Sequence, residues 1–166
     1  MERTTDKPIR LHVGSGRHYW PGFTNVDSNS DADVMSDVRK LDFKTDSVSE
    51  IHAIHVVEHV PRLDIESMLF EWHRVLKPGG KVCIEVPCMN KIAQNIVNGE
   101  KNMRLTLLGI FGDPRDPLPD MMHQWCYTKE ELHDILDRTG FTSIQIMEPD
   151  FHMQERDMRI EACTPC

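Results

Sequence analysis

Gly14-Ser15-Gly16 ends one short apolar stretch, and Asp27 ends the next, eleven positions after Gly16. Glycines at a strand end have no Cβ, so they let backbone N–H groups come close to a ligand and they accept positive φ. An acid closing a second strand suits the paired hydroxyls of a ribose. Asp37, in the run Val34-Met35-Ser36-Asp37-Val38, can accept a hydrogen bond from an exocyclic amine such as that of adenine. His55 and His59 flank Glu58, and imidazoles exchange protons near neutral pH. Taken singly, each group has a plainer reading. The glycines could form a tight surface turn, Asp27 could be a solvated turn acid, Asp37 could cap a turn, and the histidines could make polar contacts at a helix start. Three successive strand ends that offer complementary groups in this order describe an adenosine site.

Strands must carry these groups. IRLHV (9–13) alternates apolar and polar residues as a short strand does. FTNVD (23–27) and SEIHAIH (49–55) read the same way, with DVM (33–35) a very short strand between them. DIESMLFEWHRVLKPGG (64–80) is the clearest helix. Its Ile65, Met68, Leu69, Trp72, Val75 and Leu76 share a face, Asp64 is the expected cap, and Lys77-Pro78-Gly79-Gly80 is the expected stop. KVCIEVPC (81–88) is the next strand, and KIAQNIV and RLTLLGIF each suit a short helix. GDPRDPLPDMMHQW holds three prolines and reads as loop. TKEELHDILDRTGF restarts a helix, with Thr128 and Glu131 at capping-box spacing and Gly140 to stop it. FTSIQIME (141–148) and MRIEACTP (158–165) are the last strands, joined by loop alone. This order predicts an α/β protein with a mostly parallel sheet, right-handed crossovers and an antiparallel C-terminal hairpin. Ligands of such sheets sit beyond the carboxyl ends of the strands, where Gly14, Asp27, Asp37 and His55 all fall.

The 166 residues predict one domain with a sizeable core. A net charge of −8 with no Lys/Arg cluster argues against nucleic acid as a partner. No apolar run reaches membrane-span length, and the polar start, MERTTDKPIR, lacks the apolar stretch of a signal peptide. Five cysteines include a terminal Cys163-Thr-Pro-Cys166, with no second pair and no following helix to activate a thiol. It reads as a strand residue plus a terminal thiol, and reduced thiols point to the cytoplasm. A nicotinamide-binding Gly-x-Gly-x-x-Gly is broken by Arg17-His18-Tyr19.

The segments LHVGSG, NVD, MSDVRKLDF, IHAIHVVEHV, VLKPGGKVCIEVPC and HQWCYTKEELHDILDRTGF together resemble the class I S-adenosylmethionine-dependent methyltransferases, over nearly the whole chain from Ile9 to Pro165. The resemblance implies a Rossmann-like seven-stranded sheet whose last strand inserts antiparallel, with S-adenosylmethionine as cofactor. It divides the chain into a cofactor-binding half (8–89), a substrate-side segment (90–127) and a C-terminal helix and hairpin (128–165). By position, Gly14, Ser15 and Gly16 would line the methionine and ribose part, with Asp27 and Ser28 at the ribose hydroxyls. Asp37 and Val38 would meet the adenine, and His55 would lie near the methionine part.

The chain departs from the family in two respects: the third glycine or small residue and the helix usual between strands one and two find no place in the eleven positions from Gly16 to Asp27, and strands two and three are likewise joined by loop alone. Trp20, Pro21 and Phe23 are expected either to cover the exposed sheet or to pack in a homodimer. Methyl transfer depends on positioning an acceptor and, for an oxygen nucleophile, on removing its proton. His123 is the candidate base, with His59 and Trp125 as acceptor-side residues. Trp125 is equally readable as a core anchor. A metal site built from these histidines is possible, but no convincing set of ligand spacings with a carboxylate supports it, and no metal is expected. The expected acceptor is a small molecule, a glycan or a protein side chain. A non-catalytic or partner-dependent S-adenosylmethionine-binding module is the alternative.

Overall fold

A computed structural model describes residues 7–29, 31–99, 102–115 and 121–166. The first six residues of the polar start and positions 116–120 of the proline-rich loop lie outside the described residues.

The elements run β1 (Ile9–Val13), β2 (Thr24–Asp27), β3 (Val34–Met35), β4 (Val48–Ile54), a 3-10 turn (Val57–His59), α1 (Ile65–Val75), β5 (Leu76–Pro87), α2 (Met89–Val97), α3 (Met103–Phe111), α4 (Lys129–Arg138), β6 (Thr142–Met147) and β7 (Asp157–Cys163). The strands form one seven-stranded sheet in the order β3-β2-β1-β4-β5-β7-β6. The first five strands pair in parallel, while β7 is antiparallel to both β5 and β6. Among the described residues no helix stands between β1, β2 and β3, and none is long and apolar enough to cross a membrane.

Three local expectations need correction. The turn Lys77-Pro78-Gly79-Gly80 does not simply end a helix. It belongs to β5, which starts at Leu76 opposite Val48 and shifts register before Lys81 pairs with Glu50. Gly79 makes this possible with φ +71°, a conformation that a side chain disfavours. Asp64 does not cap α1, because its backbone is helical and its carboxylate accepts Nη1 of Arg39 at 2.9 Å. The capping box of α4 is half made. Thr128 Oγ1 accepts Glu131 N at 3.1 Å, but the Glu131 carboxylate turns to Arg62 and Trp125.

Alternation along the strands divides the sheet into two unlike faces. One carries Leu11, Val13, Ile51, Ala53, Val82, Ile84 and Ile160, all buried with Trp72 of α1 and Leu132 and Ile135 of α4. The other carries Arg10, His12, Glu50, His52, Cys83, Arg159 and Glu161, several of which line a shallow groove. Its charges are paired in place. Arg10 meets Glu50 at 2.8 Å, His52 meets Glu50 at 2.6 Å, and Arg159 meets Glu161 at 2.5 Å.

Aromatic rings cover part of this second face where a helix would otherwise pack. Trp20 stacks on His12 with centroids 4.1 Å apart and lies 4.7 Å from the ring of Phe151. Phe23 meets Trp20 edge-on at 5.3 Å, and the Arg10 guanidinium sits 3.9 Å above its centroid. Buried Asn25 holds this loop to the sheet. Its Oδ1 accepts Trp20 N at 2.9 Å, and its Nδ2 donates to Asp33 at 3.0 Å. Of the two expected roles for Trp20 and Phe23, these contacts support covering the sheet.

Replacing Asn25 would strand the Trp20 amide and the buried His12 Nδ1, whereas exposed Asp33 keeps the backbone N–H of residue 25 as a donor. Asn25→Ala is expected to lower stability by about 1–3 kcal/mol, the cost of leaving buried polar partners unpaired. Urea unfolding checks this, and an unchanged midpoint would show that the loop is held elsewhere.

Candidate functional site

The carboxyl ends of β1, β2, β3 and β4 bring together the loops that hold the expected cofactor residues. The two glycines of the first loop differ in purpose. A Cβ on Gly14 would lie 2.3 Å from Cγ2 of Val56, so this residue is glycine because the loop packs against the segment after β4. A Cβ on Gly16 would meet nothing within 4 Å, so the space in front of its backbone is open. Both have positive φ, +62° and +53°.

Asp27 is anchored rather than free. Its Oδ2 accepts Gly16 N at 2.8 Å, and its Oδ1 accepts Asn29 N at 3.1 Å and Asn29 Nδ2 at 2.8 Å. The carboxylate therefore shapes the first loop and keeps further lone pairs for a ligand. Ser28 beside it is exposed, whereas Ser15 is buried with its N–H on the Val26 carbonyl at 3.2 Å. Asp37 is paired with Arg39, whose Nε lies 3.0 and 3.1 Å from its two oxygens, and this hydrogen bonding pushes the Asp37 carboxyl below its ordinary range. The Val38 carbonyl accepts the indole N–H of Trp72 at 2.8 Å, which ties this loop to α1.

The second group of residues centres on Glu58, whose side chain is fully buried at the 3-10 turn. His55 precedes it with φ +55°, a left-handed conformation that turns the chain sharply at the end of β4. His55 Nδ1 lies 2.8 Å from Glu58 Oε1, and its Nε2 lies 3.2 Å from Asp157 Oδ2. Burial alone would push the His55 imidazole down, but Glu58 and Asp157 outweigh it and hold it up at about 9. Burial would raise Glu58, yet the charge of His55 keeps it below its ordinary value. Asp157 sits at about 2 because His55 and Arg156 overcome its own burial.

His123 comes to the same place from the far side of the chain. The Glu58 carbonyl accepts Gln124 N at 2.7 Å and Trp125 N at 3.2 Å, which straps residues 123–125 against the end of β4. His123 Nδ1 donates to the Gly109 carbonyl at 3.0 Å, since a carbonyl can only accept. Its Nε2 is then left facing Glu58 Oε1 at 4.0 Å, and burial pushes this imidazole below its ordinary value. His59 meets His123 edge-on, with ring centroids 4.8 Å apart.

Trp125 is not a core anchor. It is 43% exposed, its Nε1 donates to Glu131 at 3.1 Å, and Arg62 lies 5.9 Å from its ring centroid. Sequence reasoning missed Glu58 as the centre of this group and Asp157 as its partner. A carboxylate between two histidines was the signal available for Glu58, whereas Asp157 joins through the pairing of β7 with β5.

The sequence profile of a family described as "Methyltransferase domain" matches residues 12–146. The chain belongs to the methyltransferase domain family. Its sheet order and inserted antiparallel β7 are those of the class I enzymes, which use S-adenosylmethionine as methyl donor. None of the curated protein sequences matches the chain. Solved structures share its fold. A S-adenosylmethionine-dependent methyltransferase from Methanosarcina mazei is 17% identical, with 95% of this chain and 92% of that one aligned at a TM-score of 0.67. A possible histamine N-methyltransferase from Thermotoga maritima is 15% identical over 95% of this chain and 83% of that one, at 0.65. A phosphoethanolamine N-methyltransferase from Haemonchus contortus, in complex with phosphomonomethylethanolamine and S-adenosylhomocysteine, is 12% identical over 96% of this chain and 50% of that one, at 0.59.

The open space before Gly16 and the remaining lone pairs of Asp27 fit the ribose part of the donor. Asp37 accepts from Arg39 on both oxygens, so an adenine amine would share that carboxylate with the guanidinium or compete for it. Asp27→Ala is expected to weaken S-adenosylhomocysteine binding roughly 10- to 100-fold, the loss of a hydrogen bond to a charged group. It should also lower Tm by a few degrees, because Gly16 and Asn29 lose their acceptor. Calorimetry at wild-type affinity would remove Asp27 from the site. Trp125→Ala should cost no more than about 1 kcal/mol in denaturant unfolding, against the ~3–5 kcal/mol of a buried tryptophan.

Proposed function

We propose that this chain transfers the methyl group of S-adenosylmethionine to a small-molecule, glycan or protein acceptor in the cytoplasm. The observation that carries the reading is the junction at the carboxyl edge of β4. There Gly14 of the first loop packs on Val56, which lies between His55 and Glu58 of the His55–Glu58–His123 group. Cofactor residues and proton-handling residues thus share one short segment. The net charge of −8 argues against a nucleic-acid acceptor.

In this reading Gly14, Ser15, Gly16, Asp27 and Ser28 hold the ribose and methionine part of the donor, and Asp37 and Val38 hold its adenine. S-adenosylmethionine supplies a methyl group activated on a sulfonium sulfur. His55, charged and fixed between Glu58 and Asp157, orients the methionine end and does not itself take a proton. Trp125 and His59 border the acceptor. His123 is neutral, and its Nε2 lone pair is the expected proton acceptor for a hydroxyl or amine. Small amines, of the kind named for the Thermotoga and Haemonchus proteins, fall within the small-molecule class.

One observation favours a second reading, an S-adenosylmethionine-binding module that acts with a partner. The sheet face bearing Glu50, His52, Cys83, Arg159 and Glu161 carries no helix among the described residues.

S-adenosylhomocysteine at about 100 times its Kd is expected to stabilise the fold by ~2.7 kcal/mol, a Tm rise of a few degrees. A rise with NADH and none with S-adenosylhomocysteine would refute the methyltransferase reading. The chain, supplied with S-adenosylmethionine labelled in its methyl group and a metabolite extract, should label an acceptor. His123→Ala should slow that labelling by ~10²–10⁴ while leaving donor affinity nearly unchanged. No labelled product in small-molecule, glycan or protein fractions would favour the binding module.

A further inference from the structure

Glu58, His59 and His123 offer donor atoms that all lie within 4.8 Å of one another. The Glu58 side chain is fully buried, and neither of its oxygens accepts a well-directed hydrogen bond. His55 Nδ1 lies 2.8 Å from Oε1, and Oε2 has no partner among the described residues. His59 Nδ1 is buried and also has no partner. His123 Nδ1–H is spent on the Gly109 carbonyl, so the neutral ring presents the lone pair of Nε2 to the Glu58 carboxylate 4.0 Å away. His55 meets Oε1 from one side, and the two acceptors that face each other on the other side leave a place that favours a positive ion. The separation is too long for a shared proton and somewhat wider than the roughly 3.3–3.6 Å between neighbouring ligands of a tetrahedral ion at ~2.0–2.2 Å, a gap that a small side-chain rotation closes.

The geometry points to a divalent transition-metal site formed by Glu58, His59 and His123. Two imidazoles and one carboxylate are the donor set that binds zinc, cobalt and related ions, and three protein ligands leave a coordination position open. The Gly109 carbonyl fixes the tautomer and orientation of His123, as outer contacts do for metal-bound histidines. His55 is not a ligand, since its two nitrogens already face the carboxylates of Glu58 and Asp157, at 2.8 and 3.2 Å. The neighbouring group of His55, His152 and Asp157 is a weaker candidate, because Asp157 is already paired with Arg156 at 2.5 Å. Resting on the methyltransferase reading, the open position would take an acceptor hydroxyl, whose proton then leaves to water near neutral pH. His123 is in that case a ligand, and the ion replaces it as the source of acidity.

The test is metal binding by the full chain after chelator treatment, with no acceptor present. Calorimetry with zinc chloride should show one ion per chain, and cobalt(II) should give visible absorption bands of a low-coordinate nitrogen and oxygen site. Glu58→Gln and His123→Ala should each weaken zinc binding at least tenfold. His152→Ala and Cys166→Ala should leave it unchanged. No stoichiometric binding to the wild-type chain overturns the site without any variant. So does binding that survives both Glu58→Gln and His123→Ala, or cobalt bands of thiolate ligation. S-adenosylhomocysteine is titrated in parallel. Donor binding without metal binding overturns this inference alone, and metal binding without donor binding supports it while removing the methyltransferase reading.

Discussion

A fully buried carboxylate at the end of the central strand is the interaction on which the rest of the site depends. Burying Glu58 ionised costs several kcal/mol unless positive charge comes to it. His55 supplies that charge, and Asp157 on the inserted antiparallel strand in turn holds His55. The backbone of the same residue receives Gln124 and Trp125, so one turn of chain gathers β4, β7 and the segment before α4. His123 reaches the site because of this strap, although it follows β5 and two helices in sequence.

A second constraint comes from the sheet. With helices α1 and α4 on its apolar face and none between β1 and β3, the other face meets water or a loop. The chain accommodates this by making that face polar and pairing its charges, which keeps the exposed sheet from being an apolar patch. Glu85, also fully buried, accepts Asp150 N at 2.7 Å and Phe151 N at 3.1 Å, and so folds the β6–β7 connection back toward Trp20. The cofactor loop is thereby stiffened by side-chain contacts, and Asp27 does for Gly16 what a following helix would otherwise do.

Much of the fold was legible because two periods are strong. Alternation marked β1, β2, β4, β6 and β7 to within a residue or two, and the face of α1 from Ile65 to Val75 is buried as its spacing predicts. Local capping was less legible, since Asp64 and Glu131 had long-range cationic partners, Arg39 and Arg62, that no local rule reveals. Lys77 to Gly80 looked like a stop because turn chemistry and a glycine bulge within a strand use the same residues. The cofactor loops could be named in advance because they follow strand ends in order. The group around Glu58 could not be assembled, because His123 and Asp157 join it only through tertiary contacts.

The central claim is that a methyl donor binds at the carboxyl edge of β1 to β4. Backbone amide NMR of the ¹⁵N-labelled chain during titration with S-adenosylhomocysteine tests it most directly. The account predicts saturable shifts that centre on Gly14, Ser15, Gly16, Asp27, Ser28, Val38 and His55. Shifts confined to His52, Cys83, Arg159 and Glu161 on the open face, or none at saturating ligand, would contradict it.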